Sequence, residues 1–449
     1  MIPTTKVTAF LNPAKDPLIF NTVLEVLPHA AQITELQVEI NGFQFTHQSF
    51  QDSLKVIMGM PNLRSVAFAI LSGGLPHPNL IFEFLPERFP ALIELSLDGI
   101  GLKCTSLGRL QELELRNFPE QSATMTFNGL LDLLGGSQLT KLTLNNYLSV
   151  AFSDQPTRKP TKMSKLKELY VRDTPKQTSR LLHELQRLPT KTTICGLYGS
   201  AVIEWTSNVF LDMLPSSNRR PDLYLSMFTK GMEANLELSE DTVRLDCHEP
   251  KVQLTLEVNS TLRQHPETDP AVYEASYSAV VAAAGGILGL VPALVTLKCT
   301  GTSIRVHHRA WGYVFNGAKG LQNLTIVDEG HGHITRGLLE VIASPPRSDQ
   351  EVLKAPRALC LYLKKLHVVT PVPIQDAVLE DILEAVLKAV KNCASSGGRL
   401  KKLVLEVQVQ YIANGRDRYG QPTYDEVGVS KGWEDKLLVH VDTVQIKDL

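Results

Sequence analysis

A six-residue pattern of aliphatic positions, L-x-x-L-x-L with other apolar residues allowed, recurs along most of the chain and constrains its fold more than any other feature. Clear copies start at Ile33, Leu63, Leu92, Leu110, Leu139 and Leu166, and again at Leu294, Leu321, Leu363 and Leu400. The dominant spacing is about 28 residues, within the range of repeats that each form one supersecondary unit. The closing L-x-L of each copy alternates apolar and polar residues, as a strand with one buried face does. Pro61, Pro90 and Pro292 each stand two residues before a motif leucine, where proline ends a preceding helix and biases its neighbour towards extended backbone.

Helical patterns lie between the strands. Phe50, Leu54, Ile57 and Met58 share one helix face, as do Leu379, Ile382, Leu383, Val386 and Val390 after a candidate N-cap at Asp376. The interval between Leu166 and Leu294 holds weaker candidates for strand copies at 192–197, 223–228 and 252–258. Strand, turn, helix and return within about 28 residues makes units that bury one another's apolar faces.

On these ten copies the chain resembles the leucine-rich-repeat superfamily, in its longer ribonuclease-inhibitor-like branch, over residues 33–410. The resemblance implies an α/β fold: an irregular leucine-rich-repeat solenoid over 1–410, with degenerate copies at about 190–290 and a C-terminal capping segment at 411–449. It implies a parallel sheet on the concave side and helices on the convex side. The family places Asn or Cys at the ninth motif position. Asn41 conforms, whereas Leu71, Ile100, Phe118 and Tyr147 do not, so an irregular arc is expected. With its uneven spacing, the chain is similar to the repeat regions of fungal F-box proteins, in which an F-box binds the ubiquitin-ligase adaptor and the repeats capture substrate. No F-box is recognised: the nearest string, 85–95, puts Pro90 where that module needs helix. Residues 7–11 read as a strand with no cap before it, which leaves room for an upstream segment and, with it, ubiquitin-ligase components as partners.

Composition narrows the function classes. Hydrophobic residues make up 43% and charged residues 20% of the 449, ordinary for a globular chain. The 45 basic and 47 acidic residues give a formal charge of -2, without the basic excess that phosphate binding requires, so no nucleic-acid partner is expected. The N-terminal residues show no secretory leader. The six cysteines form no C-x-x-C spacing, which suits reduced thiols and a cytoplasmic or nuclear location. Residues 275–297 carry no charge. Their glycines and Pro292 predict a buried helix turning into a parallel strand rather than a membrane span.

Sites of chemistry are scarce. Asp328, Glu329, His331 and His333 crowd one loop, and His307 and His308 lie on the preceding one, types that suit a transition-metal ion. No second ligand motif fixes their spacing, so a solvated turn is expected, with no metal and no cofactor. The string 312–319 lacks the Gly-Lys-Ser/Thr of a phosphate loop, and Gly285, Gly286 and Gly289 follow no strand. H-E-x-x-H and G-x-S-x-G do not occur. The expectation is a non-enzymatic protein-interaction module, by resemblance one that recognises substrate for an F-box-type ubiquitin ligase. The alternatives are a scaffold, sensor or GTPase-regulator repeat, and an enzyme with a site in the loops at 307–333. The outward strand positions are the candidate binding residues: Glu35, Glu39, Glu94, Asp98, Glu112, Glu114, Arg116, Tyr170 and Arg172. They predict an acidic early arc, followed by a more basic late one around Lys365, His367 and Lys402.

Overall fold

Leu95 and Leu97 point to one side of a five-residue strand, while Glu94, Ser96 and Asp98 point to the other, and the same alternation recurs in the neighbouring strands. The structure is a computed structural model. It describes residues 5–11, 27–41, 57, 60–71, 80–117, 125–148, 161–185, 193–202, 208–215, 231–260, 270–290, 294–301, 305–330, 332–343, 361–374, 376–409, 413–416, 422–424 and 431–448. Within these it is mixed α/β, with mostly parallel strands and eight α-helices. The chain divides into two compact units, one of Met1–Ser200 with Met213–Leu223, the other of Ala201–Asp212 with Tyr224–Leu449.

In the first unit the strands are β1 (Thr5–Leu11), β2 (Ile33–Asn41), β3 (Ser65–Leu71), β4 (Ile81–Glu83), β5 (Glu94–Asp98), β6 (Gly101–Lys103), β7 (Glu112–Arg116), β8 (Lys141–Asn145), β9 (Glu168–Asp173) and β10 (Ile194–Val202). All but β4 and β6 pair in parallel in chain order, each strand beside its predecessor. The motif leucines Leu95, Leu97, Leu113, Leu142, Leu144 and Leu169 are at most 2% exposed. The weak copy at 192–197 supplies part of β10, parallel to β9.

Among the described residues of this unit, a 3-10 turn (Leu27–Gln32) precedes β2, and two longer helices lie in later connections: α1 (Phe127–Gly135) before β8 and α2 (Pro175–Glu184) before β10. Thr126 and Thr174 cap them, their hydroxyls accepting from the Gly129 and Gln177 amides. Around β4 and β6, turns and short strands stand where a helix was expected. There Phe82 lies 5.6 Å from Phe68 and 5.8 Å from Phe89, a cluster of rings that seals the core beneath the sheet. The connection from β5 to β7 is too short for a helix and its return. Residues 85–89 form turns, with the Arg88 amide donating to the Leu85 carbonyl. Of the predicted helix face at 50–58, Ile57 is helical and buried, and Phe50, Leu54 and Met58 lie outside the described residues, as do 223–228.

The second unit contains α3 (Val209–Asp212), β11 (Met232–Leu238), β12 (Thr242–Glu249), β13 (Val252–Ser260), α4 (Pro270–Gly289), β14 (Leu294–Gly301), α5 (His308–Gly317), β15 (Asn323–Asp328), α6 (His333–Ala343), β16 (Lys365–Ile374), α7 (Asp376–Ser395), β17 (Lys402–Val409), β18 (Ala413–Arg416), β19 (Pro422–Tyr424), α8 (Lys431–Leu438) and β20 (Val444–Asp448). The candidate copy at 252–258 forms β13, but β11, β12 and β13 make an antiparallel meander instead of three parallel units. Two tight connections, at Ser239–Asp241 and Pro250–Lys251, are far too short for a parallel crossover. From β11 onward β14, β15, β16, β17 and β20 add in parallel, each step crossing through a helix. Leu324 and Leu403 lie fully buried in this unit's core. The predicted face of α7, from Leu379 to Val390, is buried. In the predicted capping segment, α8 precedes β20, which extends the sheet beside β17.

Helix α4 is long and apolar enough to cross a membrane. Its buried face presents Tyr277, Val280, Val281, Ala284, Ile287 and Leu288 to α3, α5 and β12, and β14 follows it as a parallel strand. The Gly-Gly-x-x-Gly string has a packing role. A Cβ on Gly285 would come within 2.4 Å of the Tyr313 backbone, and one on Gly317 within 2.7 Å of the Gly289 nitrogen. Backbones of α4 and α5 therefore meet directly.

Candidate protein-binding surface

Parallel register converts the outward positions of the first unit into three rows, with strands about 4.8 Å apart. The first row runs Glu35, Ser65, Glu94, Glu112, Lys141, Glu168. The second runs Gln37, Ala67, Ser96, Glu114, Thr143, Tyr170, Gly196, and the third Glu39, Ala69, Asp98, Arg116, Asn145, Arg172, Tyr198. All nine sequence-predicted residues thus stand on one face of one unit.

The rows also show which of the six predicted carboxylates adjoin. Glu94 and Glu112 are direct neighbours. Glu35 is separated from Glu94 by Ser65, and Glu39 from Asp98 by Ala69. Cations interleave on the other side: Lys141 lies 3.3 Å from Glu112, and Arg116 lies 2.6 Å from Glu114. Burial opposes it, but the carboxylates of Glu112 and then Glu168 raise the Lys141 ammonium above its ordinary value. Glu114 also accepts from the Ser96 hydroxyl at 2.8 Å, Asp98 from the Asn117 amide at 2.7 Å, and Glu39 from Gln37 at 2.9 Å. The surface alternates in sign more than a stack of six like charges would.

Between the carboxylates the face is indented. Ser65, Ala67 and Ser96 are small, and Glu94, Glu112, Glu114, Lys141 and Thr143 stand around them, enclosing about 140 Å³. Further along the same face the character becomes aromatic. A Cβ at Gly196 would come within 2.8 Å of Tyr198 and 3.0 Å of Tyr170, so both rings use the space above that glycine. The Arg172 guanidinium lies 5.1 Å from the centre of the Tyr198 ring. Burial, then the adjacent Glu168 carboxylate, pushes the Tyr170 phenol above its usual range. Tyr198 was not among the sequence-predicted residues; its signal was its place two residues after the glycine of a degenerate motif.

The polar rung expected at the ninth motif position stands at the eighth. Gly99, Asn117 and Asn146 follow β5, β7 and β8 with φ of 71°, 50° and 50°. Their amides donate to the carbonyls of Arg116, Asn145 and Arg172, each at the end of the next strand. Asp173 occupies the same position after Leu166 and accepts from the amides of Leu148 and Thr174, both at 2.8 Å. Burial, opposed by these amides, raises the Asp173 carboxyl to about 6.

Asp328 is the equivalent residue after Leu321, and the solvated turn expected there does not extend to it, because backbone amides enclose its carboxylate. It is fully buried and accepts from the amides of Gly330, Gly332 and Thr335 at 3.1, 3.3 and 2.9 Å, closing the turn into α6. Its lone pairs are taken by backbone donors. The rings of His307 and His308 lie 4.2 Å apart, tilted by 34°, and His307 caps α5 through Nδ1, which accepts from the Arg309 amide. His331 lies outside the described residues. Among the described residues no three His, Cys, Asp or Glu gather as a metal site. The later strands are internally paired: Glu406 meets His367 at 3.3 Å and Lys447 at 2.8 Å, and Arg244 meets Asp246 at 2.7 Å.

No protein-family model matches this chain. A search of curated proteins finds no match either.

Proposed function

We propose that the chain is a leucine-rich-repeat protein-interaction module, and that the outer strand face of its first unit captures a basic segment of a partner. The observation that carries this reading is the adjacency of Glu94 and Glu112 beside Glu114 around a depression floored by small residues. A lysine or arginine side chain fits there with its charge between carboxylates and its stem over Ser65, Ala67 and Ser96. Tyr170, Tyr198 and Arg172, on the same face, offer a rigid aromatic anchor of the kind that dominates binding energy. Parallel strands added in chain order at repeat spacing support the solenoid reading, with the sheet as its concave side. The similarity of the repeat pattern to F-box proteins supports substrate recognition for a ubiquitin ligase as the setting, within the cytoplasm or nucleus.

The test is binding of a labelled, extended Lys/Arg-rich peptide to the intact chain at several salt concentrations. Affinity should fall with salt and drop about tenfold or more in Glu94→Gln/Glu114→Gln. Affinity indifferent to both overturns the reading. Affinity purification from cells tests the setting: without the ligase adaptor among the partners, the ligase role falls and the binding reading stands.

A further inference from the structure

Helix α4 shows the second unit's exterior a face rich in alanine, with Glu274 and Ser278 beside the alanines. Ala271, Ala275, Ala279 and Ala282 follow one another at helical spacing, and with Tyr313 of α5 they line an open groove of about 540 Å³. From Ala271 to Ala282 the groove runs about 17 Å, three helical turns. A ridge of alanines lets another helix approach to about 8 Å. Tyr313, 46% exposed, leaves apolar area of the groove uncovered.

The rim is cationic. Arg305 and Arg309 line the groove, and neither makes an ion pair with any carboxylate among the described residues. Glu274 is the one acidic group among the lining residues, and Ser278 is occupied, its hydroxyl accepting from the His307 amide at 2.9 Å. The N-terminus of α5, a ten-residue helix, opens on the same rim and adds its partial positive charge. Burial, and after it His308 and Arg309, hold the His307 imidazole below its ordinary value.

We propose that this groove docks an amphipathic helix of a partner protein, which lays small apolar side chains on the alanines of α4 and brings carboxylates to Arg305 and Arg309. An apolar stripe flanked by acidic residues is the complement of an apolar floor with cationic rims. The proposal is independent of the strand face in the first unit.

Panning a displayed library of helical peptides, about 15 residues long so that they hold helix, on the intact chain tests it. Selected peptides should carry Asp or Glu beside an i, i+3, i+4, i+7 stripe of small apolar residues. Ala279→Trp, which fills the groove, and Arg305→Glu/Arg309→Glu should each weaken a selected peptide about tenfold or more. Glu94→Lys should leave it unchanged, separating this surface from the strand face. Circular dichroism and melting of each variant establish that the fold is kept. If no helical peptide is enriched, if the winners lack acidic residues, or if folded variants bind as well as the parent, the proposal is overturned. It is equally overturned if the chain sediments with anionic phosphatidylserine vesicles and Ala279→Trp abolishes that, since the groove is then a membrane-contact surface.

Discussion

The side-chain amide of Asn146 donates to the side-chain oxygen of Asn117 at 3.3 Å, across one strand-to-strand step, and both residues hold φ near 50°. Asn117 in turn donates to Asp98 at 2.7 Å. One file of side chains thus links the ends of β5, β7 and β8, just where each strand turns away from the sheet. Left-handed backbone costs an L-residue with a Cβ about 1–2 kcal/mol, which Asn tolerates better than Ala.

Asn117→Ala should therefore lower stability by about 1–2 kcal/mol, losing both the tolerated conformation and the bond to Asp98. Asn117→Gly should recover most of the backbone share. Urea unfolding of the two variants checks this; equal losses would mean that the side-chain file, not the backbone, carries the effect.

Leu142, the second residue of β8, is fully buried. Leu142→Ala should cost about 2–5 kcal/mol through lost burial and a cavity between β7 and β9. A loss under about 1 kcal/mol in chemical unfolding would place it outside the core.

Asp173 makes the first unit sensitive to pH in a defined direction. Its carboxyl lies at about 6, above the ordinary 3.8, so the folded chain holds that proton more tightly than the unfolded one. The stabilising contribution is complete below about pH 4 and is lost as pH rises through about 6, on the order of 3 kcal/mol in all. Asp173→Asn, neutral throughout, should remove this slope. Unfolding curves from pH 4 to 7 for both chains test it, and parallel pH profiles would refute it.

Two glycines of one helix should respond differently. Gly285→Ala pushes a methyl into the Tyr313 backbone and should separate α4 from α5, costing about 1–3 kcal/mol or more. A Cβ on Gly289 would sit 3.4 Å from the Gly317 Cα, so Gly289→Ala should cost much less, offset by better helix propensity. Thermal melts of the pair settle the order.

On the strand face, charge reversal should also separate two neighbours. Glu94→Lys replaces a like-charge neighbour of Glu112 by an attractive one and should leave the melting temperature unchanged or slightly higher. Glu112→Lys instead sets a cation against Lys141 and should lower it slightly. Melting at low and high salt reads both effects, which shrink as salt screens them.

The sequence by itself determined the strands of the ten clear repeat copies and which side their residues face. Leu95, Leu113 and Leu142 point inward, and Glu94, Glu112 and Lys141 outward, because a period of two is a property of the extended chain alone. The core face of α7 was legible for the same reason: Leu379, Ile382, Leu383, Val386 and Val390 follow a helical period. Partnership was not local and needed the tertiary structure. Register decided that Glu94 adjoins Glu112, that Lys141 and Arg116 interrupt the acidic arc, and that the polar rung stands at the eighth position. Tight turns decided that β12 and β13 fold back antiparallel, although Val252 to Val258 alternate like a repeat strand. A single helix hydropathy could not distinguish the face of α4 that meets Gly317 and Tyr313 from the face left open to the groove. That choice depends on which backbone approaches, and the approach is fixed by contacts between residues far apart in the chain.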